Sequence, residues 1–547
     1  MSWLKRLFPS LIIIIAGMFL AASLFHGGWY TSHDGVYHVL RTEEATRMLK
    51  LGEFPLLWAV TLDQGFGIPL FTFVYPGPYY ASAALNLLKL SAPVAVKTVT
   101  MLVYLLGGLG MYQFFCRRDK WLALGLAIIY LMTPYQFLNI FVRGAFGEVV
   151  ALGLMPWSLV ALDRIFTRKP ARLMWYDPIP FAALLLAHNF LGILFGVFLV
   201  GYIFFQKTNR RTAWISLLLS FGLAMFFLAP MIIERNNLYS LANQEFTFRF
   251  DQHFVYLRQF LYSKWDYWYS VPGPDDGMSF QLGFAQMVLV GLGGLSILFQ
   301  KKQKYVWADF YLIVAYVGSL FLMIERSTFI WQWIPILQTV QFPWRFLFMT
   351  TLLSPLFGFH FLHRLKNPKI RYGLLIAIVA LGFWNVRNYR RPMKFLTMSE
   401  YTDLYLLNVG KTTTTFRTEI LPKWVTDKER FKSEEVLINH GNMIIDAIKF
   451  NPAVVDLTVN NKGGDDVGVL TINRNYFPTW AATIDQKKSF PLTPTTEGML
   501  ELRPALGTHT YKIYLKSTPI EVASNVITVG AIILLGVIWQ QNRRRKN

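Results

Sequence analysis

The segment IPLFTFVYPGPYYASAALNLLKL, residues 68–90, decides how the rest of this chain is arranged. It is apolar and long enough to cross a membrane, which takes about 20 residues. Pro76, Gly77 and Pro78 interrupt its helix, and interrupted backbone is tolerated at membrane depth only where protein or a cavity shields it. We therefore expect a juxtamembrane or re-entrant element on the outer side of a membrane, and not a span.

The composition indicates a polytopic membrane protein. Of 547 residues, 54% are hydrophobic and 16% are charged, whereas a soluble protein carries roughly 25% charged residues. The net charge of +21 comes from basic residues in short runs between apolar segments. That pattern is typical of cytoplasmic loops and does not indicate a nucleic-acid ligand. The single cysteine, Cys116, excludes a disulfide framework and a cysteine-based zinc site.

The apolar segments predict about twelve spans if residues 68–90 do not cross. The first follows Lys5 and Arg6 and lacks a small-residue cleavage motif before His26, so we expect an uncleaved span with the N-terminus inside. The predicted spans lie near 8–25, 95–115, 121–140, 148–166, 174–189, 190–206, 212–232, 280–299, 304–324, 344–363, 371–388 and 521–540.

Twelve spans place every basic run on the side of the N-terminus. These runs are 116–120, 163–172, 206–211, 300–304, 363–371 and 543–546. The positive-inside rule then predicts a multi-pass protein of the cell membrane with both termini in the cytoplasm.

The domain organisation follows from the same pattern. We expect a transmembrane domain over 1–388, with outer loops at 26–94 and 233–279, and a last span with a basic cytoplasmic tail over 519–547. Residues 389–518 contain alternating runs such as DVGVLTINRNYF and HTYKIYLKS, bounded by NNKGGDD and LTPTTEGM. Alternation between such turn signals predicts antiparallel strands, so we expect an extracytoplasmic β-sandwich-like domain.

Polar residues collect at the predicted outer ends of the spans. The stretch GWYTSHDGVYHVLR, residues 28–41, directly follows the first span. Ionisable groups at membrane depth are costly and usually face a cavity or one another. A polar cavity at the outer surface is therefore predicted from His33, Asp34, His38, Arg41, Arg143, Glu148, His188, Asn189 and Arg345.

Each of these residues also has a purely structural interpretation. Asp34 precedes a helical pattern and suits a helix N-cap. Arg143 and Glu148 suit an interfacial ion pair, and Arg345 suits snorkelling beside Trp344. His188 and Asn189 suit the cap of a tight hairpin turn. The aromatic loop 254–280, which also holds aspartates, suits either sugar rings or an aromatic belt at the headgroups.

Seven stretches cover most of the chain in order: SHDGVYHVLR, DQGFGIPLFTFVYPGPYY, FVRGAFGEVVALGLMPW, AHN at 187–189, SVPGPDDGMSFQLG, QFPWRF and NRNYFPTWAATID. Together they resemble a bacterial membrane-protein family labelled 6-pyruvoyl-tetrahydropterin synthase-related. A synthase of that name would need a three-histidine zinc site, for which the sequence holds no cluster, so we discount that activity.

More broadly, a first span followed by a long outer loop with an early acidic residue resembles the GT-C superfamily of membrane glycosyltransferases. The resemblance implies a GT-C-like fold, in which a loop carboxylate acts as base or metal ligand and basic residues hold a polyprenyl phosphate. It makes Asp34 the candidate catalytic residue. The implied substrate- and phosphate-binding residues are His33, His38, Arg41, Arg143, Glu148, His188, Asn189 and Arg345.

The implied partners are a polyprenyl-phosphate-linked sugar, an extracytoplasmic glycan or lipid acceptor, and membrane lipid. Asp34 is followed by Gly35, and the next acids are Glu43 and Glu44, two to three helical turns away. Base catalysis without a metal is therefore the simpler hypothesis, with a divalent metal as the alternative. Two other functions stay open: a transporter or flippase for lipid-linked glycans, and a non-catalytic partner in envelope glycan assembly.

Overall fold

The computed structural model describes residues 2–242, 249–299, 306–409, 420–427, 434–451, 453–463 and 468–544. Two of the predicted basic runs, 300–304 and the end of 543–546, lie outside these residues. The described chain is helical up to residue 409, continues in β-strands, and ends in a long helix.

The helices follow the apolar segments of the sequence and the breaks between them. In chain order they are α1 (Ser2–Leu20), α2 (Gly35–Lys50), α3 (Leu70–Phe73), α4 (Gly77–Leu87), α5 (Ala92–Phe115), α6 (Lys120–Leu131), α7 (Pro134–Phe137), α8 (Phe146–Thr167), α9 (Ile179–Ala187), α10 (Asn189–Phe204), α11 (Arg210–Ile233), α12 (Tyr239–Ala242), α13 (Leu257–Leu261), α14 (Phe284–Leu298), α15 (Val306–Leu322), α16 (Thr328–Trp333), α17 (Pro335–Gln338), α18 (Leu347–Leu362), α19 (Pro368–Val386), α20 (Met398–Val409) and α21 (Pro519–Arg544).

Among the described residues, six helices are long and apolar enough to cross a membrane. They contain α5, α8, α11, α18, α19 and α21. Two bent pairs raise the number to as many as eight: α6 with residues 134–143, bent by 45°, and 307–322 with 325–333, bent by 100°. The predicted number of twelve is therefore not confirmed. The segment predicted at 174–189 contains only α9, whose nine residues extend about 14 Å against a hydrocarbon core of about 30 Å.

Glycines let the central helices approach closely. A Cβ on Gly107 of α5 would lie 3.3 Å from the Cα of Gly153 on α8, and a Cβ on Gly153 would overlap the Val103 carbonyl. Small residues at such crossings are the usual basis of helix packing in membranes. This pair forms the centre of the helical domain.

The segment 68–90 does not form one helix. It contains α3 and α4, separated at Val74–Pro76, as the Pro-Gly-Pro sequence predicts. The Tyr79 side chain of α4 is fully buried, and Ser82 Oγ lies 2.8 Å from Thr42 Oγ1 of α2. The segment therefore packs against the helix that follows Asp34.

The strands form two antiparallel sheets. They are β1 (Val436–His440), β2 (Met443–Asn451), β3 (Val454–Asn461), β4 (Val469–Asn475), β5 (Trp480–Ile484), β6 (Lys488–Pro491), β7 (Thr493–Pro494), β8 (Met499–Leu502) and β9 (Gly507–Leu515). The sheet orders are β1-β4-β8-β7 and β2-β3-β9-β5-β6. Burial alternates along β3, as expected for a strand with one face in a core. The predicted C-terminal β domain is confirmed.

The β domain and the first outer loop share one hydrophobic core. Trp58 packs edge-on against Trp480, with ring centroids 5.8 Å apart, and also contacts Phe477. Asn475 Nδ2 donates to Asp63 Oδ2 at 2.8 Å, and Arg474 Nη1 donates to the Gly65 carbonyl at 2.6 Å. Loop 26–94 and the strands thus pack as one body, although about 400 residues separate them in sequence.

Candidate functional site

The frame of the site joins the segment before α2 to the segment between α7 and α8. The His33 N–H donates to the Val142 carbonyl at 3.0 Å, and the Asp34 N–H donates to the Arg143 carbonyl at 2.8 Å. Gly144 follows with φ +64°, and a Cβ there would lie 2.7 Å from Ser32 Oγ and 2.9 Å from the Gly35 nitrogen. Glycine is therefore required both for this backbone conformation and for the close approach.

Arg143 ends a π-helical turn, Leu138–Arg143. Such turns are rare and frequent at functional sites, because the wider turn redirects a side chain. Here the turn directs Arg143 inward, where its side chain is buried and its Nη1 donates to Asn139 Oδ1 at 2.5 Å.

Asp34 lies at the start of α2, but its side chain does not cap that helix. Its half-buried carboxylate acts electrostatically on Arg41 and Arg143. It also acts on Tyr37 and Tyr269: burial first, and then the Asp34 charge, raises the pKa of both phenols above the ordinary tyrosine value. The geometry therefore does not support the N-cap interpretation, and Asp34 faces other polar groups.

Glu148 binds two arginines, Arg143 and Arg345, that are far apart from each other in the sequence. Its Oε1 accepts from Arg143 Nη2 at 2.9 Å and from Arg345 Nε at 3.1 Å, and its Oε2 accepts from the Tyr135 hydroxyl at 2.6 Å. The exposed fractions of the Glu148, Arg143 and Arg345 side chains are 2%, 6% and 12%. The ion pair predicted for Arg143 and Glu148 is present, and Arg345 completes a cluster with excess positive charge.

Aromatic rings hold both guanidiniums in place. Arg143 lies 4.5 Å from the ring centroid of Trp344, and Arg345 lies 5.0 Å from that of Phe342. Arg345 Nη1 also donates to the Val340 carbonyl at 2.5 Å. These contacts keep Arg345 inside the protein and do not fit the snorkelling interpretation.

His188 joins this group from the α9–α10 hairpin. Its Nδ1 accepts the Leu191 N–H at 3.3 Å, which caps α10 as the structural interpretation predicts, and its Nε2 lies 4.0 Å from Glu148 Oε1. The neighbouring Asn189 is directed elsewhere, since its Nδ2 contacts Met231 Sδ at 3.0 Å. Asn189 is thus not brought together with the other candidate residues.

His38, Arg41 and Tyr79 form a second buried group. His38 Nε2 accepts the Phe146 N–H at 3.4 Å, so the ring proton lies on Nδ1, which donates to the Tyr79 oxygen at 2.8 Å. Burial, followed by the charges of Arg41 and Arg143, lowers the pKa of His38 well below its ordinary value. His38 is therefore a neutral residue that links α2 to α4 and to the start of α8, while Arg41 Nη1 donates to Tyr79 at 3.2 Å.

Tyr75 connects the two groups. Its ring stacks on Tyr79, with centroids 6.0 Å apart, and on His188 at 4.9 Å. It lies flat on Gly147, where any Cβ would overlap the ring. Sequence reasoning missed these tyrosines and Tyr135; the available signal was that Tyr75 and Tyr79 flank the Pro-Gly-Pro break in a segment expected not to cross.

His33 is directed towards the aromatic loop. Its ring stacks on Tyr269 at 4.2 Å, and its Nε2 donates to the Tyr267 carbonyl at 3.2 Å. Burial is the largest cause that lowers the pKa of His33, which favours the neutral ring.

The donors around Asp34 do not fit a divalent cation. Guanidiniums and phenols face the carboxylate, whereas Mg²⁺ and Ca²⁺ require several carboxylate, carbonyl or water oxygens. Glu43 binds the Tyr405 hydroxyl and Glu44 binds Thr61, so both acids are directed away. Within the described part of the chain, no three His, Cys, Asp or Glu residues gather as metal ligands.

Comparison with known proteins gives a family and several similar solved structures, among them the two described below. A family model described as a 6-pyruvoyl-tetrahydropterin synthase related domain, membrane protein, matches residues 71–389. The apo crystal structure of an oligosaccharyltransferase from Archaeoglobus fulgidus is 14% identical, with a TM-score of 0.46, over 77% of this chain and 62% of that one. The cryo-EM structure of the arabinofuranosyltransferase AftD from Mycobacteria is 16% identical, with a TM-score of 0.45, over 70% of this chain and 27% of that one.

The chain thus spans less than two thirds of the length of either structure. No curated protein matches it in sequence.

Proposed function

Because the chain belongs to the 6-pyruvoyl-tetrahydropterin synthase-related family of membrane proteins, whose name describes no reaction at the site found here, we propose a function from the site itself. We propose that the protein transfers a sugar from a polyprenyl-phosphate carrier to a glycan or lipid acceptor outside the cytoplasm. One observation carries this proposal: three arginines, Arg41, Arg143 and Arg345, gather with only two carboxylates, Asp34 and Glu148, leaving positive charge in excess in a mostly buried site.

The excess charge suits an anionic group such as a phosphate. Glu148 fixes two guanidiniums side by side, and a fixed guanidinium pair binds phosphate oxygens through charge-assisted hydrogen bonds. The Nη2 group of Arg345 has no hydrogen-bond partner among the described residues. Arg143 and Arg345 would therefore bind the phosphate of the carrier, with His188 and Arg41 beside them.

Asp34 would act as the general base. It removes the proton of an acceptor hydroxyl, the acceptor oxygen bonds to the anomeric carbon of the sugar, and the bond from that carbon to the phosphate oxygen breaks. The phosphate leaves with the electron pair, and Arg143 and Arg345 stabilise its growing negative charge. This scheme needs no metal, in keeping with the donor set around Asp34.

The topology completes the proposal. Six of the predicted spans do not contain a single helix that is long enough to cross a membrane. They coincide with α1, α9, α10, α14 and the two bent helix pairs. Twelve crossings therefore require these helices to cross where the bilayer is locally thinner or where other parts of the protein surround them. Both termini would then be cytoplasmic and the site would face outward, with the transmembrane domain over 1–388, the β domain over 389–518 and the last span over 519–547.

Asp34→Asn tests the reaction. We expect transfer of a radiolabelled sugar from its polyprenyl carrier in proteoliposomes to fall about 10²–10⁴-fold, because the amide cannot accept the proton. Asp485→Asn is the matched control, since that carboxylate is 41% exposed at the turn after β5, and it should leave transfer unchanged.

Full transfer by Asp34→Asn would remove Asp34 as the base. Movement of the intact lipid-linked glycan across the bilayer, without transfer, would favour the flippase. If removal of the protein stops glycan assembly in cells but Asp34→Asn does not, the result would favour the non-catalytic partner.

A further inference from the structure

Asp34 lies near both cationic and phenolic groups. Its charge acts on Arg41 and Arg143, and on Tyr37 of α2 and Tyr269 of the aromatic loop. Tyr269 also stacks on His33, the residue before Asp34. The aromatic loop thus reaches the candidate base through Tyr269.

Trp268 and Tyr269 together form an exposed aromatic surface, the aromatic ledge. Their ring centroids are 5.5 Å apart with an interplanar angle of 71°, and 66% of Trp268 and 45% of Tyr269 is exposed. Two large, partly exposed aromatic side chains thus adjoin each other, and Tyr269 lies beside the candidate base.

The backbone holds this ledge rigidly. The Trp268 N–H donates to the Gly277 carbonyl at 2.8 Å, and the Gly277 N–H donates to the Tyr269 carbonyl at 3.0 Å. Any Cβ on Gly277 would overlap Trp268, and Tyr269 stacks on His33 at 4.2 Å. A rigid aromatic surface binds with little loss of conformational entropy.

Charged groups border the ledge. The side chains of Asp266 and Asp275 are 42% and 91% exposed, and Lys264 lies 2.9 Å from Asp266. Exposed carboxylates are unfavourable within hydrocarbon, so the ledge faces water. Carboxylates beside aromatic faces suit a saccharide, which presents both apolar C–H faces and hydroxyl groups.

We propose that Trp268 and Tyr269 form the acceptor subsite, on which a sugar ring of a saccharide acceptor stacks with one hydroxyl directed to Asp34. This inference rests on the proposed function and assigns the acceptor to a polyol rather than to a purely apolar lipid. His33 is a positioning residue in this arrangement, because it holds the Tyr269 ring beside Asp34.

The test measures saccharide binding without catalysis. The full chain in lipid nanodiscs is immobilised and exposed to fluorescently tagged oligosaccharides released, unfractionated, from the cell envelope of the source organism. The wild type should retain them, and Trp268→Ala and Tyr269→Ala should each weaken retention about tenfold or more, which corresponds to about 1.4 kcal/mol.

Trp333→Ala is the matched control. Trp333 is 88% exposed but belongs to α16 and not to the aromatic ledge, so its variant should retain saccharide like the wild type. Equal retention by the wild type and Trp268→Ala, or no retention by the wild type at millimolar saccharide, would overturn the proposal.

A spin label tests the competing lipid contact, and it works even if an alanine variant folds poorly. Cys116 is the single cysteine, so Trp268→Cys in a Cys116→Ala background carries one nitroxide. We expect relaxation of this label by a water-soluble nickel complex and little by oxygen dissolved in the bilayer. The reverse result would show that the ledge lies in lipid and would overturn the proposal.

The two proposals fail separately. Asp34→Asn should abolish transfer yet retain saccharide, since stacking does not need the base. If Asp34→Asn abolishes transfer while Trp268→Ala retains saccharide normally, the acceptor-subsite proposal is wrong and the transferase proposal is supported. If Trp268→Ala loses saccharide while Asp34→Asn transfers fully, the acceptor-subsite proposal is supported and Asp34 is not the base.

Discussion

At the scale of single residues, Glu148 is the group on which the site depends. Its Oε1 accepts hydrogen bonds from both Arg143 and Arg345. A buried ion pair adds little net stability, but removing one partner leaves a buried charge without compensation. Glu148 is therefore a structural requirement for any function that uses the two arginines.

Glu148→Gln should lower the free energy of unfolding by about 3–5 kcal/mol, because two guanidiniums then lie together in a buried site. A thermal shift assay of the detergent-solubilised chain measures this effect. Glu325→Gln is the control, since Glu325 is exposed and surface substitutions change stability by about 0.5 kcal/mol or less. Equal melting temperatures for the two variants would contradict the conclusion that Glu148 compensates the charges of Arg143 and Arg345.

His38 gives a pH dependence with a definite sign. Its pKa is lowered in the folded state, mainly by burial, so the unfolded chain binds the proton more readily. The stability it contributes is complete above the unfolded value, about 6.5, and is lost as the pH falls below it. His38→Gln should therefore flatten the decline in melting temperature between about pH 6.5 and 5.

His253 supplies a comparison for that experiment. Burial is the main cause that lowers its pKa, to about 4, so part of the decline should remain in His38→Gln and should decrease further in the double variant. An unchanged slope in His38→Gln would show that His38 titrates alike in the folded and unfolded chains.

At the scale of elements, the contact between the start of α2 and the π-helical turn decides the geometry of the site. Gly144→Ala should cost about 1–2 kcal/mol for the left-handed backbone and a further amount for the overlap with Ser32 and Gly35. Gly52→Ala is a matched control, because Gly52 has φ +85° and no neighbour within 4 Å. Gly144→Ala should lower the melting temperature and the transfer activity more than Gly52→Ala does, and the difference reports the overlap. Equal decreases in the two variants would contradict the overlap.

Much of the element pattern could be predicted from sequence. The Pro-Gly-Pro break and the alternating strands follow from local chemistry, as does the prediction that Asp34, Arg143 and Arg345 lie near other polar groups. What could not be predicted is which residues meet, since Arg345 reaches Glu148 across 197 positions. Tyr75 and Tyr79 were missed because an aromatic residue in an apolar segment is ordinarily a core residue, and its hydroxyl partner is visible only in three dimensions.

At the scale of the whole molecule, the β domain is packed into the same body as the first outer loop. Asn475 Nδ2 donates both to Asp63 Oδ2 and to the Gly67 carbonyl. Through Thr61, which binds Glu44, the same loop is attached to α2. The β domain thereby supports the helix that begins beside Asp34.

Asn475→Ala should destabilise this junction by about 1–3 kcal/mol, because buried acceptors lose their donor. Hydrogen exchange followed by mass spectrometry should show faster exchange both in β4 and in the loop 61–68. Asn442→Ala, at an exposed turn, is the control. Faster exchange confined to β4 would show that the loop holds its conformation without the β domain.

The shared core also determines when the first loop can complete its folding during synthesis of the chain. Asp63 is synthesised 412 residues before its partner Asn475, which at 5–20 residues per second is an interval of about 20–80 s. During that interval the first loop exists without the aromatic residues that cover Trp58. Its packed conformation therefore forms only after the ribosome has nearly finished the chain, and a premature stop before codon 475 leaves residues encoded near the beginning of the gene without their partners.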